Sequence, residues 1–149
     1  TNVVGGFIDQ GTGGITEGLR TRIIMPFTGV YAENDHVLGH EIVHGFQYDI
    51  ATAQTGGLQN LGSLPLWVIE GMAEYFSVGR EDSHTAMWLR DAVRSGALPR
   101  LADLAKPQFF PYRWGHAFWA YVGGRWGDIA VADLYRVASL YGMADVLGL

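Results

Sequence analysis

Hydrophobic and polar positions alternate over residues 2–9, which predicts a strand, and glycines at residues 11–14 predict a turn after it. Residues 20–27 read as a second strand, and Pro26 restricts it to a sheet edge. The period then lengthens. Over residues 33–52, Val37, Ile42, Val43 and Phe46 supply the apolar positions of a helix, with Asn34 or Asp35 as its N-cap. A Gly-, Ser- and Asn-rich loop covers residues 52–63. Helical spacing returns near residues 65–78, 83–95, 112–126 and 128–141, with a short helical stretch near 100–105. Ala and Leu dominate these segments, and Gly marks their ends.

This pattern predicts an α+β chain, mostly α. A small N-terminal β-sheet with an open edge strand lies next to the helix of residues 33–52, a helical C-terminal half follows, and a cleft lies between them. One domain is expected over residues 1–149, with an N-terminal lobe at 1–82 and a helical lobe at 83–149. A chain of 149 residues with 48% hydrophobic content can bury a core of its own. A net charge of −5 without a basic block argues against a nucleic-acid partner. Cysteine is absent, so disulfides play no part and the redox compartment is open. No apolar run reaches 18 residues, so no membrane span is expected. Thr1-Asn2-Val3 does not open a signal peptide, yet the chain starts without Met and stops in mid-pattern. It reads as an excised piece of a longer protein, which leaves location open, a secreted or periplasmic one included. Oligomeric state is equally open.

The chemistry concentrates in His40-Glu41-Ile42-Val43-His44. Residues four apart on a helix are neighbours on one face, so His40 and His44 can reach one ion about 2.0–2.1 Å from each nitrogen. Glu41 is rotated away from the pair, badly placed to ligate and well placed to face an activated water. The rival reading is a pair of satisfied histidines on a core helix. Hydrolytic zinc sites use three protein ligands, and without cysteine the third must be His, Asp or Glu. The segment from Leu66 to Phe76 is apolar apart from Glu70 and Glu74, four apart on one face. Two such carboxylates repel one another when buried unless a positive group sits near them.

H-E-x-x-H followed by Trp67-Val68-Ile69-Glu70-Gly71-Met72-Ala73-Glu74-Tyr75 resembles the gluzincin metallopeptidases, which include the thermolysin-like endopeptidases and the aminopeptidase and leukotriene-hydrolase group. The resemblance covers roughly residues 20–140. It implies that Zn2+ is held by His40, His44 and Glu70, that Glu41 is the general base, and that Glu74 hydrogen-bonds the free nitrogen of His40. It also implies that the edge strand before the zinc helix pairs with a peptide or protein substrate. Pro111-Tyr112-Arg113-Trp114-Gly115, with Trp126-Gly127 downstream, is similar to the leukotriene-hydrolase group, where this tyrosine donates to the oxyanion. Tyr112 takes that role, with His116 one turn on as the alternative donor, while Arg113 is expected in solvent. Trp114, Phe118, Trp119, Tyr121 and Trp126 are expected to pack the core.

The chain departs from the family pattern at one point, since 25 residues separate His44 from Glu70, more than many members have. The excess falls in the loop at 52–63. No G-A-M-E-N-like strand is present. Gly14-Ile15-Thr16-Glu17-Gly18 stands nearest to it, and Glu17 is the one candidate anchor for a substrate amine. Endopeptidase is therefore the favoured expectation. The alternatives are an aminopeptidase of the same clan, a catalytically silent zinc-stabilised peptide-binding module and a metal-free scaffold.

Overall fold

The computed structural model describes residues 12–17, 22–55 and 64–149. The strand expected at residues 2–9 lies outside them. Two short strands, β1 (Ile15–Glu17) and β2 (Arg22–Ile24), pair antiparallel with Thr16 opposite Ile23. Six helices follow: α1 (Tyr31–Thr55), α2 (Leu66–Val78), α3 (Ser83–Ser95), α4 (Pro111–Trp126), α5 (Asp128–Tyr141) and α6 (Met143–Leu147), with a 3-10 turn at Leu101–Asp103. The fold is α+β and mostly α, with the small sheet at the N-terminal side and helices after it. None of the described helices is long and apolar enough to cross a membrane.

On the sheet side, Gly14 and, from β1, Ile15 and Thr16 line the cleft. Two expectations are corrected. The N-cap is neither Asn34 nor Asp35: Asn34 N–H already donates to the Val30 carbonyl, and the Asn34 side chain accepts from Thr28 N–H at 3.2 Å. The apolar positions of α1 also face the wrong way for a core stripe. Val43 is buried, but Ile42 and Phe46 are 43% and 64% exposed. The inward face carries His40, Glu41, Gln47 and Ala51 instead.

The core lies under α2. Trp67, Val68, Met72 and Tyr75 pack with Trp119 and Val122 of α4 and with Val131, Tyr135 and Ala138 of α5. Across this packing Trp119 Nε1–H donates to the Val68 carbonyl at 2.9 Å, and the Tyr75 hydroxyl donates to Asp128 at 2.6 Å. Trp119 is buried and Trp114 and Phe118 are packed against the core, as expected. Tyr121 and Trp126 are not: they sit 63% and 61% exposed at the end of α4, edge to face on each other.

The contact that positions the site is the crossing of α2 and α4. Gly71 and Gly115 meet there backbone to backbone. A Cβ on Gly71 would run into the Gly115 backbone, and one on Gly115 into the Trp67 carbonyl. These are the glycines of E-G-x-A-E and of Y-x-x-G. Their bare Cα atoms bring Tyr112 and Arg113, three and two residues before Gly115, onto the carboxylates of α2.

Candidate metal centre

Side chains from α1, α2 and α4 converge beneath β1. Helical period places His36, His40 and His44 at i, i+4 and i+8 of α1, and Glu70 and Glu74 at i and i+4 of α2. Facing each other, the two rows interlock. His40 Nε2 lies 3.0 Å from Glu70 Oε2 and 3.1 Å from His44 Nε2, and His44 Nε2 lies 3.4 Å from Glu70 Oε2. Two ligands of a tetrahedral zinc, each about 2.0–2.1 Å from the ion, stand about 3.3–3.4 Å apart. The triangle is close to one face of that tetrahedron.

The opposite ring nitrogens fix the tautomers. His40 Nδ1 lies 3.0 Å from Glu74 Oε1, and His44 Nδ1 lies 2.8 Å from Gln47 Oε1. Gln47 in turn donates from Nε2 to the Ile69 carbonyl at 3.0 Å, which sets its amide oxygen toward His44. Both partners are acceptors, so both Nδ1 atoms carry hydrogen. With both rings neutral, the two Nε2 lone pairs point at each other and at a carboxylate. Three lone-pair donors within 3.4 Å of one another repel unless a cation stands among them. The donor set therefore fits zinc, with imidazole and carboxylate ligands and anchored second nitrogens.

In the protein alone a proton supplies that charge. Burial opposes the imidazolium of His40, but the Glu70 and Glu74 carboxylates outweigh it and raise its pKa to about 9. Burial pushes Glu70 up, yet its bonds to His40 and His44 prevail and lower it to about 2. Glu74 is held well below the usual carboxylate range in the same way, with burial outweighed by His36 and His40. A second triad, His36, His40 and Glu74, has the proximity of a metal site but not its chemistry. His40 Nδ1 needs its hydrogen there, and the Arg113 guanidinium at 3.1 Å from Glu74 Oε2 already provides the positive charge.

Glu41 is buried beside this centre, and its carboxylate accepts from the Thr16 hydroxyl at 2.7 Å. Gly14 gives it room, since a Cβ there would fall 2.7 Å from Glu41 Cγ and Oε1. Tyr112 stacks on the His40 ring with centroids 5.6 Å apart. Burial and the nearby Glu70 carboxylate push its pKa well above the ordinary range. Gly14, His40, Glu41 and Tyr112 line both of two adjoining cavities, of about 420 and 490 Å³. The first continues past Tyr48, Leu66 and Ile69, the second past His36, Phe110 and Arg113.

The structure thus brings together His40, Glu41, His44, Glu70, Glu74 and Tyr112. It does not bring His116, which is buried behind α4, hydrogen-bonds the Gly79 carbonyl through Nε2 at 2.8 Å and lines neither cavity. One turn along α4 from Tyr112 is enough to carry it past the cleft. Arg113, expected in solvent, is instead mostly buried between Glu74 and Asp82. Glu17 pairs with Arg22 across the hairpin and lines neither cavity. The sequence reading missed His36, Gln47, Tyr48 and Thr16. His36 lies four residues before His40, and Gln47 and Tyr48 lie three and four after His44, so all three were open to the same argument. Thr16 carries no such signal. Comparison with protein-family models, with curated proteins and with solved structures returned no match.

Proposed function

We propose that the chain is a zinc-dependent peptidase of gluzincin type, with His40, His44 and Glu70 as ligands. The observation that carries this reading is the triangle of Nε2, Nε2 and Oε2 atoms, 3.0–3.4 Å on a side, with each imidazole held from behind at Nδ1. When bound, zinc supplies Lewis acidity, lowering the pKa of a water to about 7 and polarising the scissile carbonyl. The chain's own groups do the rest. Glu41, steadied by Thr16, takes the proton of the attacking water and returns it to the leaving amine. Tyr112 donates its phenolic hydrogen to the oxyanion that develops on the attacked carbon, and its high pKa keeps that hydrogen in place. An extended peptide lying along Gly14–Thr16 would set its residues into the two cavities.

Endopeptidase action is favoured over aminopeptidase action because Glu17, the candidate amine anchor, is committed to Arg22. Hydrolysis of an N-terminally blocked peptide by the wild type and by Glu41→Gln tests both statements. Expected are internal cleavage by the wild type and a loss of about 10²–10⁴-fold in the variant, with its zinc retained. Full turnover in Glu41→Gln would reject the base, and cleavage only of peptides with a free amine would reject the endopeptidase assignment.

A further inference from the structure

His40 is the pivot of the centre, and among the described residues its Nδ1–H has one acceptor, Glu74 Oε1. That carboxylate is itself 3% exposed and is reached from three sides. His36 Nε2 lies 2.8 Å from the same Oε1, and Arg113 Nη1 donates to Oε2 at 3.1 Å. The same Arg113 nitrogen donates to Asp82 Oδ2 at 3.0 Å, and Asp82 caps α3 by accepting from Thr85 N–H at 2.7 Å. A continuous line of bonds therefore runs from the ligand on α1, through α2 and α4, to the first turn of α3. We propose that Arg113, with His36, is a positioning residue for the metal centre: it pins the Glu74 carboxylate that aims His40 Nε2 at the ion.

This inference rests on the zinc reading above. A buried carboxylate without its cation loses the geometry that distinguishes one acceptor lone pair from another, and outer partners of this kind matter about 10–100-fold in metal affinity. Arg113 reaches Glu74 because Gly115, two residues on, lets α4 lie against α2. His36 is about one-third exposed, so it adds a second donor without closing the cavity it lines. If Arg113 instead only tied α3 and α4 together, its removal would lower thermal stability and leave the metal untouched.

Zinc affinity by chelator competition and the visible spectrum of the Co2+-loaded chain separate the two roles. Arg113→Met is expected to weaken zinc about 10–100-fold and to change the Co2+ spectrum, and Arg113→Lys to recover part of both. Tyr75→Phe, which loses the bond to Asp128, is the stability control: it should lower Tm with unchanged affinity. Should Arg113→Met fail to fold, His36→Gln reads the same carboxylate from the exposed side, with a smaller loss expected. Wild-type affinity and an unchanged spectrum in folded Arg113→Met, or in His36→Gln if only that variant folds, would overturn the inference alone. A wild-type chain that takes up no zinc would overturn the peptidase reading and this inference with it.

Discussion

At the scale of single residues, the proposed centre sets a proton and a metal in competition for one place. In the protein alone His40 holds its proton up to about pH 9, against an ordinary value of 6.5. Its contribution to stability is whole below pH 6.5 and is lost as pH rises through about 9. Glu70 runs the other way, contributing above 4.5 and losing that contribution as pH falls through about 2. Zinc must displace the His40 proton, so zinc affinity should climb about tenfold per pH unit and level off near pH 9. Chelator competition across that range reads this directly, and a flat profile would contradict it. Thr16 acts on the base rather than on the metal. Thr16→Val removes the hydroxyl that donates to Glu41 at 2.7 Å. Turnover should fall about 10–100-fold, since hydrogen bonds to charged groups are worth about 1.5–3 kcal/mol. Zinc content should stay at the wild-type level, and a variant that lost its zinc would move Thr16 into a different role.

At the scale of elements, the site depends on how closely α4 approaches α2. Gly115→Ala would force a methyl into the Trp67 carbonyl, and overpacking of this kind costs about 1–3 kcal/mol or more. Tm should drop by several degrees, and zinc affinity should fall with it because Tyr112 and Arg113 ride on the same turn. Gly124→Ala in the same helix meets only Arg80 Cδ, at 3.7 Å, and should be neutral or stabilising by about 0.5–1 kcal/mol. Thermal unfolding of the two variants side by side checks this, and equal effects would remove the crossing from the account. The helices and the pairs His40/His44 and Glu70/Glu74 could be read in the sequence because they rest on local period alone. Arg113 could not, since its partners Glu74 and Asp82 lie 39 and 31 residues away and meet it only through the glycine crossing. The inner face of α1 was misread for a related reason. Ile42 and Phe46 mark a hydrophobic period, but the buried face belongs to the residues that build the site.

At the scale of the whole molecule, α1, α2 and α4 meet at one cluster of charged and polar groups set against an otherwise apolar core. An ion bound there stabilises the folded chain by mass action, about 2.7 kcal/mol at a hundred times its dissociation constant. The triangle of His40, His44 and Glu70 is the claim on which the base, the oxyanion donor and the supporting arginine all depend. Its most direct test is the metal content of the purified wild type, dialysed against zinc, beside that of Glu70→Ala. About one tightly held zinc per wild-type chain is expected, and almost none in the variant. A wild type that keeps no zinc, or a Glu70→Ala chain that holds it as firmly, would contradict it.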